Sequence, residues 1–228
     1  MTASPGVRGA LGAAAATLRR RALGRFEIDE WGADPELVDL LVPALGAVTR
    51  IRVHGATRVP ERGPALLVVG SRLGLAEPFV VVAGLRRAAG RRARFAGIPD
   101  VAPIGLVLRR LGGAVGRPGE VAGLLHAGHL VLVTLSPEWR RPLRAGTVEP
   151  ELIHPALGAG APILPVAAMG GEISGRWQVV VGEPIAPPRR RTGRHSPLAL
   201  AELADAARAG VQELIDEASP PGPSWLGR

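Results

Sequence analysis

The chain has no cysteine, no lysine and no tyrosine. Without cysteine there is no disulfide, no thiolate nucleophile and no sulfur-ligated metal. Without lysine there is no Schiff-base chemistry and no P-loop lysine. Aromatic residues are limited to three Phe and four Trp, so stacking platforms for single-stranded nucleic acid are poorly supplied. Charges, Gly or Pro break every apolar stretch before the roughly 18 residues that would read as a membrane span. Residues 1–25 have some look of a targeting peptide, but 11–17 is Ala-rich and weakly apolar, and Arg19, Arg20 and Arg21 follow it on the wrong side for a signal peptide. A basic, weakly amphipathic helix lying on a membrane or on the domain itself fits better. The five histidines do not form a metal set: His126 and His129 straddle Gly128, and His54, His154 and His195 stand apart and read as structural. No HExxH, GxSxG, Walker A or complete GxGxxG pattern occurs, and there is no internal repeat.

What is present is 228 residues, 46% of them apolar, with a net charge of +8 carried by arginine. That length supports one good core with a helical appendage. The positive charge favours an anionic partner without choosing between nucleic acid, a phospholipid headgroup and an anionic cofactor. Scarce aromatics, the missing zinc-ligand set and the lack of a helix-turn-helix signal set specific nucleic-acid binding aside. Anionic phospholipid, met by peripheral contact, is the expected partner. No sequence feature identifies a protein partner.

Strands and helices alternate along the chain. Asp34 before Pro35 caps a helix whose apolar face is Leu37, Leu40, Leu41 and Leu45. Residues 51–55 read as a half-buried strand, and 65–69 as a buried one. Pro78 opens a helix through Phe79, Val82 and Leu85. A short strand at 94–96, a helix over 103–111 and another over 118–127 follow. Residues 130–135 are apolar throughout, as a strand covered on both faces requires. A helix over 149–157 is expected to be cut short by Pro155. Strands at 162–168 and 177–181 precede a long helix over 198–215. The expected fold is a single α/β domain with a central mixed, largely parallel sheet flanked by helices. The expected divisions are an N-terminal helical segment at 1–48, the α/β domain at 49–218 and a flexible tail at 219–228.

Charged residues stand where apolar strands end, and α/β folds place binding and catalytic groups there. After 65–69 come Ser71, Arg72 and Glu77. The guanidinium of Arg72 stays protonated and cannot be a base, whereas Glu77 can accept a proton if burial raises its pKa. Three uses remain open: an Arg–Glu pair that pins the loop, an anion site at Arg72, and acid/base work by Glu77. Gly112, Gly113 and Gly116 read as a turn between two helices. Arg117 beside them can grip a phosphate. After 130–135, Glu138 can position a hydroxyl or brace an arginine, and Arg140 and Arg141 can hold phosphate beside the apolar wall of Trp139.

Taken in order, these segments resemble the lysophospholipid (glycerol-phosphate) acyltransferase family over roughly residues 51–185. The leader from Phe26 to Leu37 looks like that of an actinobacterial-type branch. In the family's Asn-His-x4-Asp motif, Ser71 stands at the Asn place, Arg72 at the His place and Glu77 at the Asp place. Arg117 looks like the acceptor-phosphate arginine. In Phe-Pro-Glu-Gly-Thr-Arg, Pro137, Glu138 and Arg141 match, while Ser136, Trp139 and Arg140 replace Phe, Gly and Thr. Pro162, Ile163 and Pro165 match Pro-Ile-x-Pro. The resemblance implies acyl transfer from acyl-CoA or acyl-carrier protein, with no bound cofactor, to a lysophospholipid. It implies a cytoplasmic protein in peripheral contact with the inner face of the plasma membrane. Arg72 and Glu77 take the catalytic places, and Ser71, Arg117, Glu138, Arg140 and Arg141 the substrate-binding ones. Because arginine replaces the proton-accepting histidine, a catalytically inactive relative that binds phospholipid or acyl thioester is the alternative.

Overall fold

The computed structural model describes residues 16, 19–21, 23–24, 26–40, 49–70, 76–137, 144–171, 174–188 and 196–218. The strands are β1 (Arg50–His54), β2 (Ala65–Gly70), β3 (Ala93–Ala96), β4 (Gly113–Ala114), β5 (Leu130–Thr134), β6 (Ile163–Gly171) and β7 (Arg176–Val181). The helices are α1 (Glu77–Ala89), α2 (Ile104–Arg110), α3 (Pro118–His126), α4 (Pro150–Ala159) and α5 (Pro197–Ala218). The strands form one sheet in the order β1-β7-β6-β2-β5-β3-β4. All neighbours are parallel except β6 and β7. The fold is therefore α/β with a mixed, largely parallel sheet.

β2 occupies the centre because all six of its residues are apolar or Gly and all are buried. Its alternate side chains enter two cores. Leu66 and Val68 face α3, α4 and α5, while Ala65, Leu67 and Val69 face α1. α1 begins with Glu77 and Pro78 and ends at Gly90, whose φ of 68° is the left-handed closure glycine permits. Its buried face includes Val80, Val81 and Leu85, each worth about 1.5–3 kcal/mol on removal from water. Gly84 lets α1 lie against β1, since a Cβ there would stand 3.1 Å from Val53 Cγ2 and 3.2 Å from Ile51 Cγ2.

Three expectations change. Pro155 does not shorten its helix, because α4 runs to Ala159. Pro155 is buried beside Ile153 and Ala156 in the core, and that packing outweighs one lost backbone hydrogen bond. β6 continues past 168 to Gly171, carried by its antiparallel ladder with β7. Gly113 belongs to a two-residue parallel strand beside β3 rather than to a turn; a Cβ there would lie 2.6 Å from Ile98 Cγ2, so only glycine fits. The expected flexible tail, Leu41, Leu45 and His195 lie outside the described residues.

The described N-terminal residues pack on the domain. Asp34 caps the helical residues that follow it, accepting from the Leu37 amide at 2.9 Å, and also accepts from Arg21 Nε at 2.6 Å. Asp29 pairs with Arg94, and the Asp34 amide donates to the Arg110 carbonyl at 2.9 Å. Burial alone would raise the pKa of Asp34. The hydrogen bonds from Arg21 and Leu37 outweigh it and hold the pKa below the ordinary carboxylate value. A depressed folded-state pKa stabilises the fold above the unfolded value of about 3.9 and loses that contribution as pH falls through the folded value. Asp34→Ala is expected to cost about 1–2 kcal/mol through the lost cap and broken pair, read as a lower Tm. Asp34→Asn should retain the cap but flatten the acid limb of a Tm-versus-pH curve.

Candidate functional site

The parallel strands β2, β5, β3 and β4 all end at one edge of the sheet. Val69 pairs with Thr134, and the Leu135 amide donates to the Val69 carbonyl at 2.9 Å. The chain therefore leaves β2 and β5 side by side. Ser71 and Arg72 follow the first exit, and Glu138, Arg140 and Arg141 the second. These five residues lie outside the described residues. The base of the second loop is pinned. Ser136 donates its amide to the Thr147 carbonyl at 2.8 Å, and Gln212 of α5 accepts from the Ala145 amide at 2.8 Å.

Glu77 stands at this edge as the first residue of α1. It is 2% exposed, and it and Asp34 are the two buried charged residues in the described core. The N-terminal end of a helix favours a carboxylate there. Arg117 occupies the same edge, just after β4, where it precedes Pro118 at the start of α3. β4 lies three strands from β2, about 14 Å at ordinary strand spacing. The Arg117 side chain is 72% exposed and pairs with Asp100 at 2.8 Å. It can reach an anion in solvent or at a lipid surface, at the far end of the edge from Glu77.

Glu120 was not singled out in the sequence, yet it builds the Arg117 loop. One oxygen accepts from Arg109 of α2 at 2.7 Å, and the other from the Val115 amide at 2.8 Å. Gly116 is needed beside it, because its φ is 88° and a Cβ would lie 2.9 Å from the Gly97 amide nitrogen. A glutamate three residues after an arginine, just behind a Pro-Gly pair, was the available signal, and it reads equally as an exposed first-turn acid.

Among the described residues no histidine is buried. His54 ends β1, which runs opposite to β2, and His126 ends α3. His129 precedes β5. His126 and His129 stand at the opposite edge, whereas His54 is level with Gly70 through Val180 and Ala167 but is exposed, on the face away from α1 and three strands from β2, about 14 Å at ordinary strand spacing. Burial, and then the Arg94 charge, lower the pKa of His129, but it is too far from Glu77 to take part. Among the described residues no group of His, Asp or Glu could hold a metal ion. Glu77 is the buried carboxylate at the described edge.

No protein-family model matches the chain, and no curated protein matches its sequence. Among solved structures, the fold is similar to that of the 1-acyl-sn-glycerophosphate acyltransferase PlsC from Thermotoga maritima. The TM-score is 0.56 at 18% identity, and the match covers 82% of this chain and 84% of that one. The two proteins share the fold.

Glu120→Ala should free the Val115 amide and Arg109 together. We expect a loss of about 1–3 kcal/mol of stability and increased amide exchange at 113–117, measured by hydrogen–deuterium exchange. Exchange at β2 should be unchanged.

Proposed function

We propose that the protein is an acyltransferase, carrying an acyl group from a thioester donor to the hydroxyl of a lysophospholipid or related alcohol. The observation that carries this reading is Glu77, a carboxylate 2% exposed at the strand-exit edge of the sheet. The donor is acyl-CoA or an acyl-carrier protein. Glu77 takes the proton of the acceptor hydroxyl as that oxygen attacks the thioester carbonyl. Arg72 stabilises the charge that develops on the carbonyl oxygen. The carbon–sulfur bond breaks, the thiolate leaves and regains a proton, and the ester is released. Ser71 and Glu138 position the hydroxyl, while Arg117, Arg140 and Arg141 hold phosphate. The motif order and the fold shared with an enzyme named for 1-acyl-sn-glycerophosphate support the substrate class.

A lipid acceptor requires access to a membrane. Among the described residues no helix is long and apolar enough to cross one. We infer peripheral docking instead, at the inner face of the plasma membrane. The segment around α2 supports it: Val101, Ile104, Leu106 and Val107 are each more than half exposed, and the one buried residue of α2 is Gly105. Such a contiguous apolar patch beside Arg117 suits a headgroup–acyl boundary. Arginines near anionic lipid add about 1 kcal/mol each. In flotation assays the protein should bind vesicles containing anionic lipid and release with salt. Ile104→Glu with Val107→Glu should abolish binding at low salt, and equal recovery with neutral vesicles would contradict the electrostatic part.

A second reading rests on Arg72. An arginine cannot lose a proton at neutral pH, so the same fold could bind phospholipid or acyl thioester without turnover. Product detection by mass spectrometry, with mixed acyl donors and lysolipid acceptors, separates the two. Acyl transfer predicts product that Glu77→Gln reduces at least 100-fold, within the range of general-base effects. Saturable lipid binding with no product above a protein-free control assigns the binding function. Activity created by Arg72→His in an inactive parent would show an assembled site blocked by arginine.

A further inference from the structure

α5 and the helices beside it cover one sheet face over β5, β2 and β6. Val211 of α5 closes on Gly70, and Gly210 on Pro165. The cover reaches Val180 near the end of β7 but not the first residues of β7 or the exposed residues of β1. There Arg50 pairs with Arg176 and Arg52 with Gln178, while Gln178 also pairs with Met169 of β6. Since partners in register share a face and side chains alternate, these five side chains lie together on the uncovered face. Arg50, Arg52 and Arg176 are exposed, and Met169 is buried. With Trp177 they line a concavity of about 420 Å³.

The three guanidinium groups make no side-chain hydrogen bond or ion pair among the described residues. Other described arginines do: Arg21, Arg58, Arg92, Arg94, Arg109 and Arg117 each hold a carboxylate. No acidic residue lines the concavity. Like charges directly opposite on adjacent strands, as at Arg50 and Arg176, destabilise a sheet. Protection of the outermost strand against pairing accounts for charge on β1. It does not account for Arg176, because β7 is paired on both sides, by β6 and by β1, nor for the hollow between the charges.

We propose that Arg50, Arg52 and Arg176 form an anion subsite for a phosphate monoester. Guanidinium groups bind phosphate oxygens in bidentate fashion, the Gln178 amide adds a neutral donor, and Met169 supplies an apolar floor. The subsite lies near the candidate site but separate from it. Gly70 is level with Ala167 of β6, and Met169 is two residues further on, about 7 Å along the strand. β7 and β1 are two and three strands from β2, about 10 and 14 Å. A phosphate held here belongs to a part of the ligand remote from the reacting atoms. Two sources share that chemistry: the phosphate of a soluble nucleotide ester and the headgroup of a phosphatidic acid-type lipid. The subsite does not depend on acyl transfer, because a non-catalytic protein would bind the same group.

Calorimetric titration of the full chain tests it with two probes, adenosine 3′,5′-bisphosphate and phosphatidylcholine vesicles containing phosphatidic acid. At least one should bind saturably, and R50Q/R176Q should weaken that binding at least tenfold. Arg87→Gln, which removes an exposed charge from α1, should change it less than twofold. Nucleotide binding alone assigns a soluble ester, vesicle binding alone assigns a headgroup, and either supports the subsite. Circular dichroism should show R50Q/R176Q folded with an undiminished Tm, since it relieves a repulsion. Failure of both probes to saturate would overturn the proposal. Equal weakening by Arg87→Gln and R50Q/R176Q, which would mean unspecific attraction to net charge, would overturn it too.

Discussion

Six consecutive buried residues at 65–70, bounded by β5 on one side and β6 on the other, leave the central strand no position for a charged side chain. Both faces of the strand are committed to core, one under α1 and one under α3, α4 and α5. An ionised group inside either core would cost several kcal/mol unless paired. Charged chemistry is therefore confined to the ends of the strands. The parallel register aligns the exits of β2 and β5 at the same edge, and the first residue of α1 returns there with its carboxylate buried. The chemical proposal follows from that alignment.

The outer strands obey a different constraint. β7 turns back against β6, so β1 and β7 run opposite to the central strands. Their first residues rise beyond the edge at which β2 ends. The helical layer does not reach them, and their alternation leaves arginines on an open face. One end of the sheet thus presents two kinds of candidate site. A buried carboxylate stands where the core closes, and guanidinium groups without an ion-pair partner among the described residues stand where the cover stops. Arg117 and the apolar α2 segment mark the other end of the same edge.

The fold was legible because its signals are long and periodic. The short apolar runs at 65–69 and 130–135, rich in Val and Leu, read as buried strands and are so, and Pro78 and Pro118 mark helix starts that the structure places within a residue or two. Asp34 was readable as a cap, and its bond to the Leu37 amide is present. What could not be read depends on packing between distant segments. Pro155 sits inside a helix because buried neighbours hold α4 together, and local propensity is silent on that. The two-residue strand β4 exists only through its pairing with β3. Glu77 was identified as a candidate from its position, but its burial required the structure. The cluster of Arg50, Arg52 and Arg176 joins residues more than a hundred positions apart in the chain, through the register of β1 with β7.

The central claim is that the ligand meets the protein at the edge where β2 and β5 exit, beside Glu77. Backbone amide NMR during titration with a soluble short-chain lysophospholipid tests it directly. The account predicts shifts that concentrate at Gly70, Ala76, Glu77, Thr134 and Ser136, with a weaker set at Val115–Arg117. Saturable shifts concentrated at the opposite edge, around Ala65, Leu130 and Ile163, would contradict it.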